Sequence, residues 1–169
     1  IEAASGRSLT FAELNRRADA FAHILNRKGI QAGDRVILMV RPSADFICLT
    51  FALFKIGAPV ILIDPGMGYR NLLRCIAGVR PKGFVGIPQA HLFRLLFRKP
   101  FQSVRHTFCC GRSFGLLGPD IGRQANLDFP HFPVYQAQKH DLAAIIFTTG
   151  STGPPKGAVS YTHLRAHET

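Results

Sequence analysis

Apolar residues recur at helical spacing through Phe11, Leu14, Ala18, Phe21, Ala22 and Leu25, until Gly29 closes the run. Thr10 followed three residues later by Glu13 forms a capping box, so this stretch is predicted to be an amphipathic helix. The pattern then changes period. Val36 to Val40 is short, apolar and unalternating, as a strand buried on both faces would be, and Pro42 and Ser43 open a second helix that Gly57 stops after Ile56.

The same alternation repeats downstream. Pro59 to Ile63 reads as a second buried strand, and Asp64-Pro65-Gly66-Met67-Gly68 reads as a tight turn. Tyr69 to Val79 places Leu72, Leu73, Ile76 and Val79 on one helical face. Gly83 to Ile87 is a third strand, Pro88 starts a helix ending near Lys99, and Val104 to Cys109 is a candidate fourth strand. Gly111 to Gln138, rich in Gly and Pro and without periodicity, reads as a long surface connection before a last buried strand, Leu142 to Phe147. Strands alternating with helices in this way predict an α/β architecture, a mostly parallel sheet covered by helices on both faces.

Composition agrees with a packed domain. The 169 residues are 47% hydrophobic and 18% charged, too apolar for a mainly disordered chain. The most apolar stretch, Phe46 to Ile63, is broken by Lys55, Gly57 and Pro59, so it suits a helix followed by a strand better than a membrane span. Cys48, Cys75, Cys109 and Cys110 lack the paired spacing of a zinc site, and vicinal Cys109 and Cys110 cannot bridge without strain. Reduced structural thiols and a cytoplasmic location are therefore expected from the cysteines; from Ile1 onward no positively charged leader precedes an apolar run, and the N-terminus leaves the location open.

Charge changes the picture more. The net charge is +11, and no acidic residue lies between Asp64 and Asp120, whereas Arg70, Arg74, Arg80, Lys82, Arg94, Arg98, Lys99, Arg105 and Arg112 are spread through that stretch. Two readings stay open: a solvated or covered basic face, and a surface turned toward an anionic partner. A nucleic-acid or anionic-membrane binding module is the alternative this charge raises. The lack of a basic arm or nucleic-acid motif leaves nucleic acid unexpected and peripheral membrane contact open.

The candidate chemistry lies where the last strand ends, in Thr148-Thr149-Gly150-Ser151-Thr152-Gly153-Pro154-Pro155-Lys156-Gly157. Its glycines let backbone N–H groups approach a polyphosphate, its hydroxyls add donors, and Lys156 adds a compact positive charge. This is not a Walker A loop, because Pro155 stands where that motif needs Gly and Gly157 where it needs Ser or Thr. The histidines His23, His91 and His106 sit among apolar residues and are expected to be structural; His131 and His140 are too isolated for a metal site. Asp64 is expected to stabilise its turn.

The ten-residue loop resembles the phosphate-binding loop of the adenylate-forming superfamily, the AMP-binding, acyl-CoA synthetase-like enzymes. Ser8-Leu9-Thr10-Phe11-Ala12-Glu13-Leu14, Gly33-Asp34-Arg35-Val36 and Phe54-Lys55-Ile56-Gly57-Ala58 resemble that family's early segments. Asp64-Pro65-Gly66-Met67-Gly68 with Asn71-Leu72-Leu73-Arg74-Cys75 is most similar to the fatty-acid ligase branch that includes the β-lactone synthetases of olefin biosynthesis. The resemblance implies an ATP-dependent, AMP-forming ligase or synthetase that turns a long-chain fatty or β-hydroxy acid into an acyl adenylate. It also implies that Thr148, Thr149, Gly150, Ser151, Thr152, Gly153, Lys156 and Gly157 bind the phosphates of ATP. Mg2+ is expected on the polyphosphate, a small carboxylic acid as partner, and CoA as a possible second substrate. Catalytic and metal-holding residues of the family lie further downstream, so none is assigned here. Residues 1–159 are accordingly expected to be a partial N-terminal AMP-binding domain, inactive without the downstream part of the same chain. Residues 160–169 resemble a translated sequencing adapter and are expected to be a non-native tail, although Tyr161-Thr162-His163 also resembles the family's continuation.

Overall fold

A computed structural model describes residues 9–111, 120–148 and 156–161. Helix α1, Phe11–Arg27, starts at the expected capping box: the Glu13 N–H donates to Thr10 Oγ1 (3.2 Å), and the Thr10 N–H donates to Glu13 Oε2 (2.8 Å). Strand β1, Val36–Met39, leads into α2, Ala44–Ile56, capped by Ser43. Strand β2, Val60–Ile63, a 3-10 turn at Pro65–Met67, α3, Tyr69–Val79, and β3, Gly83–Gly86, follow. Helix α4, Pro88–Leu96, ends earlier than its sequence suggests, and a 3-10 turn at Lys99–Phe101 precedes β4, His106–Cys109.

The sheet order is β4-β3-β1-β2-β5-β6, with β5 at Leu142–Thr148 and β6 at Lys156–Tyr161. The first five strands are parallel, as expected, and β6 runs antiparallel to β5. Alternate residues feed two cores. Val36, Leu38, Val60, Val85 and Phe108 pack against α1 and α2 on one face, and Ile37, Ile61 and Phe84 pack against α3 on the other. Among the described residues, no helix is long and apolar enough to cross a membrane.

Three features depart from the sequence reading. The stretch expected to be only a surface connection contains a short helix, α5, Ile121–Gln124, capped by Asp120, whose Ile121 is fully buried in the first core. Four residues are too few to create a helical period. Strand β5, expected to be buried, has only Ala144 buried, and Ile146 is 39% exposed. Its apolar composition suits a two-sided core, but the described residues bury it incompletely. Strand β6 carries too little alternation to be read in sequence; it continues through Tyr161, and residues 162–169 lie outside the described structure.

Gly57 closes α2 in the left-handed region at φ 78°, where a Cβ would sit 2.5 Å from the Tyr135 ring. That ring cannot swing away easily. The Tyr135 N–H donates to the Lys55 carbonyl (2.9 Å) and its hydroxyl to Asp141 Oδ2 (2.9 Å). Gly57→Ala is therefore expected to destabilise the protein by about 2–4 kcal/mol from backbone strain and overpacking together. A urea midpoint unchanged by the substitution would contradict this packing.

Candidate functional site

The described ends of the phosphate-loop candidate lie at the carboxyl edge of the parallel sheet. Thr148, exposed, is the last residue of β5, and Lys156 opens β6 directly opposite it in register, with Gly157 opposite Phe147. Thr149, Gly150, Ser151, Thr152 and Gly153 lie outside the described residues. The residues that flank them, Thr148 and Lys156, are paired in an antiparallel ladder. Carboxyl ends of parallel strands are where ligands bind in open α/β sheets.

The neighbouring strand supports that edge. The Asp64 N–H donates to the Phe147 carbonyl (3.0 Å), tying the β2 turn to the end of β5. Asp64 Oδ1 accepts the Gly66 N–H (2.8 Å), so this carboxylate holds its own turn, as expected. On the other side of β1, the Ile87 N–H donates to the Met39 carbonyl (3.1 Å), and the Cys110 N–H to the Gly86 carbonyl (2.9 Å). The strand ends are thereby stitched into one rim.

The expected structural roles of other residues follow from their contacts. His23 Nε2 lies 3.0 Å from the Pro130 carbonyl, and its ring stacks on Phe129. His91 is fully buried, with Nε2 2.9 Å from the Phe108 carbonyl and its ring edge-on to Phe84. The four cysteines are unbridged. Burial raises the Cys48 thiol to about 11, while burial followed by the Asp45 and Asp120 charges raises Cys110 to about 12. These thiols stay protonated and unreactive near neutral pH. Among the described residues, no group of three or more His, Cys, Asp or Glu could hold a metal.

Burial holds the His91 imidazole below its ordinary pKa, against the opposing pull of the Phe108 carbonyl. The unfolded chain therefore binds a proton more readily than the folded one. His91 supports the fold fully above about pH 6.5, and that support declines as pH falls toward its folded value. Urea midpoints are expected to fall between about pH 7.5 and 5.5, with a shallower decline in His91→Gln. Equal slopes in the two proteins would exclude this role.

The sequence reading missed one buried constellation. Asp19, 4% exposed on α1, pairs with Lys55 of α2, accepts the Phe132 N–H (3.1 Å), and lies 3.1 Å from His131 Nδ1. Lys55 Nζ also donates to Asn15 Oδ1 (2.7 Å). The available signal was an acid on the apolar side of a helix and a lysine inside the most apolar stretch.

The profile of the AMP-binding enzyme family matches residues 1–167. The chain belongs to that family. Over 157 residues, 92% of its length, it is 41% identical to the olefin beta-lactone synthetases of Stenotrophomonas maltophilia (strain K279a) and Xanthomonas campestris pv. campestris. It spans 28% of the length of each. The anthranilate CoA ligase AuaEII, solved in complex with anthranoyl-AMP, shares the fold at a TM-score of 0.81 and 18% identity, over 92% of this chain and 30% of its own. The α/β fold of the AMP-binding enzymes is therefore the fold of this chain.

Proposed function

We propose that this chain supplies the polyphosphate-binding part of an ATP-dependent, AMP-forming enzyme that activates a long-chain fatty or β-hydroxy acid. One observation carries the reading: the Gly- and hydroxyl-rich run from Thr148 to Gly157 joins β5 to β6 at the carboxyl rim of the sheet. The donors suit ATP. Backbone N–H groups of Thr149, Gly150, Ser151, Thr152, Gly153 and Gly157, with the hydroxyls and Lys156, would surround the β- and γ-phosphates. Mg2+ would be held through phosphate oxygens and residues beyond this stretch.

In the reaction, a substrate carboxylate oxygen bonds to the α-phosphorus as the bond to pyrophosphate breaks. Lys156 and the loop amides neutralise the charge that collects on the departing pyrophosphate, and their fixed placement spares reorganisation during the step. The acid class rests on the 41% identity to the two olefin beta-lactone synthetases. CoA consumption would mark a thioester-forming ligase, whereas appearance of a lactone with AMP would mark a β-lactone synthetase.

Saturable binding of MgATP by the 169-residue chain, without acid-dependent exchange of pyrophosphate into ATP, is the expected result. Exchange by this chain alone would overturn the claim that catalysis needs downstream residues. Binding that ignores ATP and collapses with salt would instead favour a basic module for nucleic acid or anionic membrane. In the same reading, residues 1–159 are the N-terminal part of the AMP-binding domain and 160–169 a non-native tail. An independent read of the coding sequence beyond Gly157 tests that division.

A further inference from the structure

At the opposite, amino-terminal edge of the sheet, a cavity of about 370 Å³ opens between the end of α3 and the segment leading into β4. Arg80, Lys99, Gln102, Ser103 and Arg105 line it, and no acidic residue does. Its position follows from the strands. Arg80 precedes β3, and the Arg105 N–H donates to the Lys82 carbonyl (2.9 Å) where β3 and β4 begin.

Two observations make this more than a solvated basic surface. Neighbouring Lys82 has a carboxylate partner, Asp34 at 2.9 Å, whereas Arg80, Lys99 and Arg105 have none among the described residues. The Ser103 hydroxyl is buried without a hydrogen-bond partner among those residues, a condition native structures seldom tolerate unless something else meets the group. Arg80 itself is held at the cavity rim as the left-handed C-cap of α3, at φ 47°, with its N–H donating to the Ile76 carbonyl (3.3 Å).

We propose that this cavity binds a phosphate group, carried by a soluble phosphomonoester or by a phospholipid headgroup. Arg80, Lys99 and Arg105 supply the positive charge, and Ser103 and Gln102 supply neutral hydrogen bonds. The site stands apart from the loop that starts at Thr148, which leaves the sheet at its other edge, so two phosphate-bearing ligands could be held together.

Binding of inorganic phosphate to the full chain is measured by calorimetry, and binding to phosphatidylcholine vesicles with or without phosphatidic acid by sedimentation. The variants are Lys99→Gln/Arg105→Gln, Arg80→Gly, Ser103→Ala and Lys156→Ala. The double variant alters exposed side chains and should fold normally, yet weaken phosphate binding about tenfold or more. Arg80→Gly should relieve backbone strain and raise the melting temperature while weakening phosphate binding, a combination that a purely structural arginine would not give. Ser103→Ala should leave the unliganded protein as stable as before, or more so, and weaken binding.

Binding of free phosphate that survives Lys156→Ala and is lost in the double variant supports the site with a soluble ligand. Binding confined to phosphatidic acid vesicles and lost in the double variant supports it with a lipid source. Absence of both, or binding that only Lys156→Ala removes, overturns the proposal and leaves the ATP reading of the loop untouched.

Discussion

Asp19→Ala is expected to destabilise the protein by about 3–5 kcal/mol, because it leaves the buried Lys55 ammonium without its acid. The loss reaches further than one pair. Asp19 joins α1 to α2 through Lys55 and to the segment ahead of β5 through the Phe132 N–H and His131. Burial alone would raise its carboxyl pKa, but the Lys55, Phe132 and His131 bonds outweigh it and hold the carboxyl below its usual range. Its contribution is therefore complete above about pH 4 and is lost as pH falls through the lower, folded value. Substituting both partners with apolar residues, as in Asp19→Leu with Lys55→Met, should recover most of the loss, since neither charge is then stranded. Urea unfolding of the two variants tests this. A single variant within about 1 kcal/mol of the parent would show that the pair is solvated and of little consequence.

Lys156→Ala is expected to weaken MgATP binding at least about tenfold, the usual scale for one charge-assisted contact to phosphate. Fold stability should hardly change. In an extended strand at the start of β6, Ala retains the backbone pairing with Thr148. Equilibrium dialysis with labelled ATP, beside a thermal melt of the same sample, separates the two effects. Unaltered affinity in a folded variant would remove the loop from the nucleotide site. Lys156→Arg should recover part of the binding, because the charge returns on a bulkier and planar group.

The sequence disclosed those parts of the molecule whose forces are local. The Thr10 and Glu13 capping box, the unalternating runs at Val36 and Val60, and the Asp64 turn depend on neighbours a few residues away, and each is found where the chain places it. The rest depends on distant partners. Nothing near Asp19 announces Lys55, and Ile121 becomes a core residue only because α5 packs against α1 and β4. Strand β6 has no pattern of its own and is defined by its register on β5. The chemistry proposed for the loop is legible because residue type carries it, whereas the basic cavity is not: Arg80 comes from the end of α3, and Lys99 and Arg105 from the segment ahead of β4.

The register of β5 on β2 also bears on the order in which the molecule forms. Val36 meets Val60 and Gly83 meets His106 across short separations, but Val60 must find Ala144, at the far side of three intervening helices. Closing that loop costs about 1 kcal/mol more than closing the one between β1 and β2, and non-local strand pairings are the slow ones. The first four strands can gather while the chain is still emerging. The strand that carries Thr148 is then added to an existing template, so among the five parallel strands β5 is the one expected to pair after the other four.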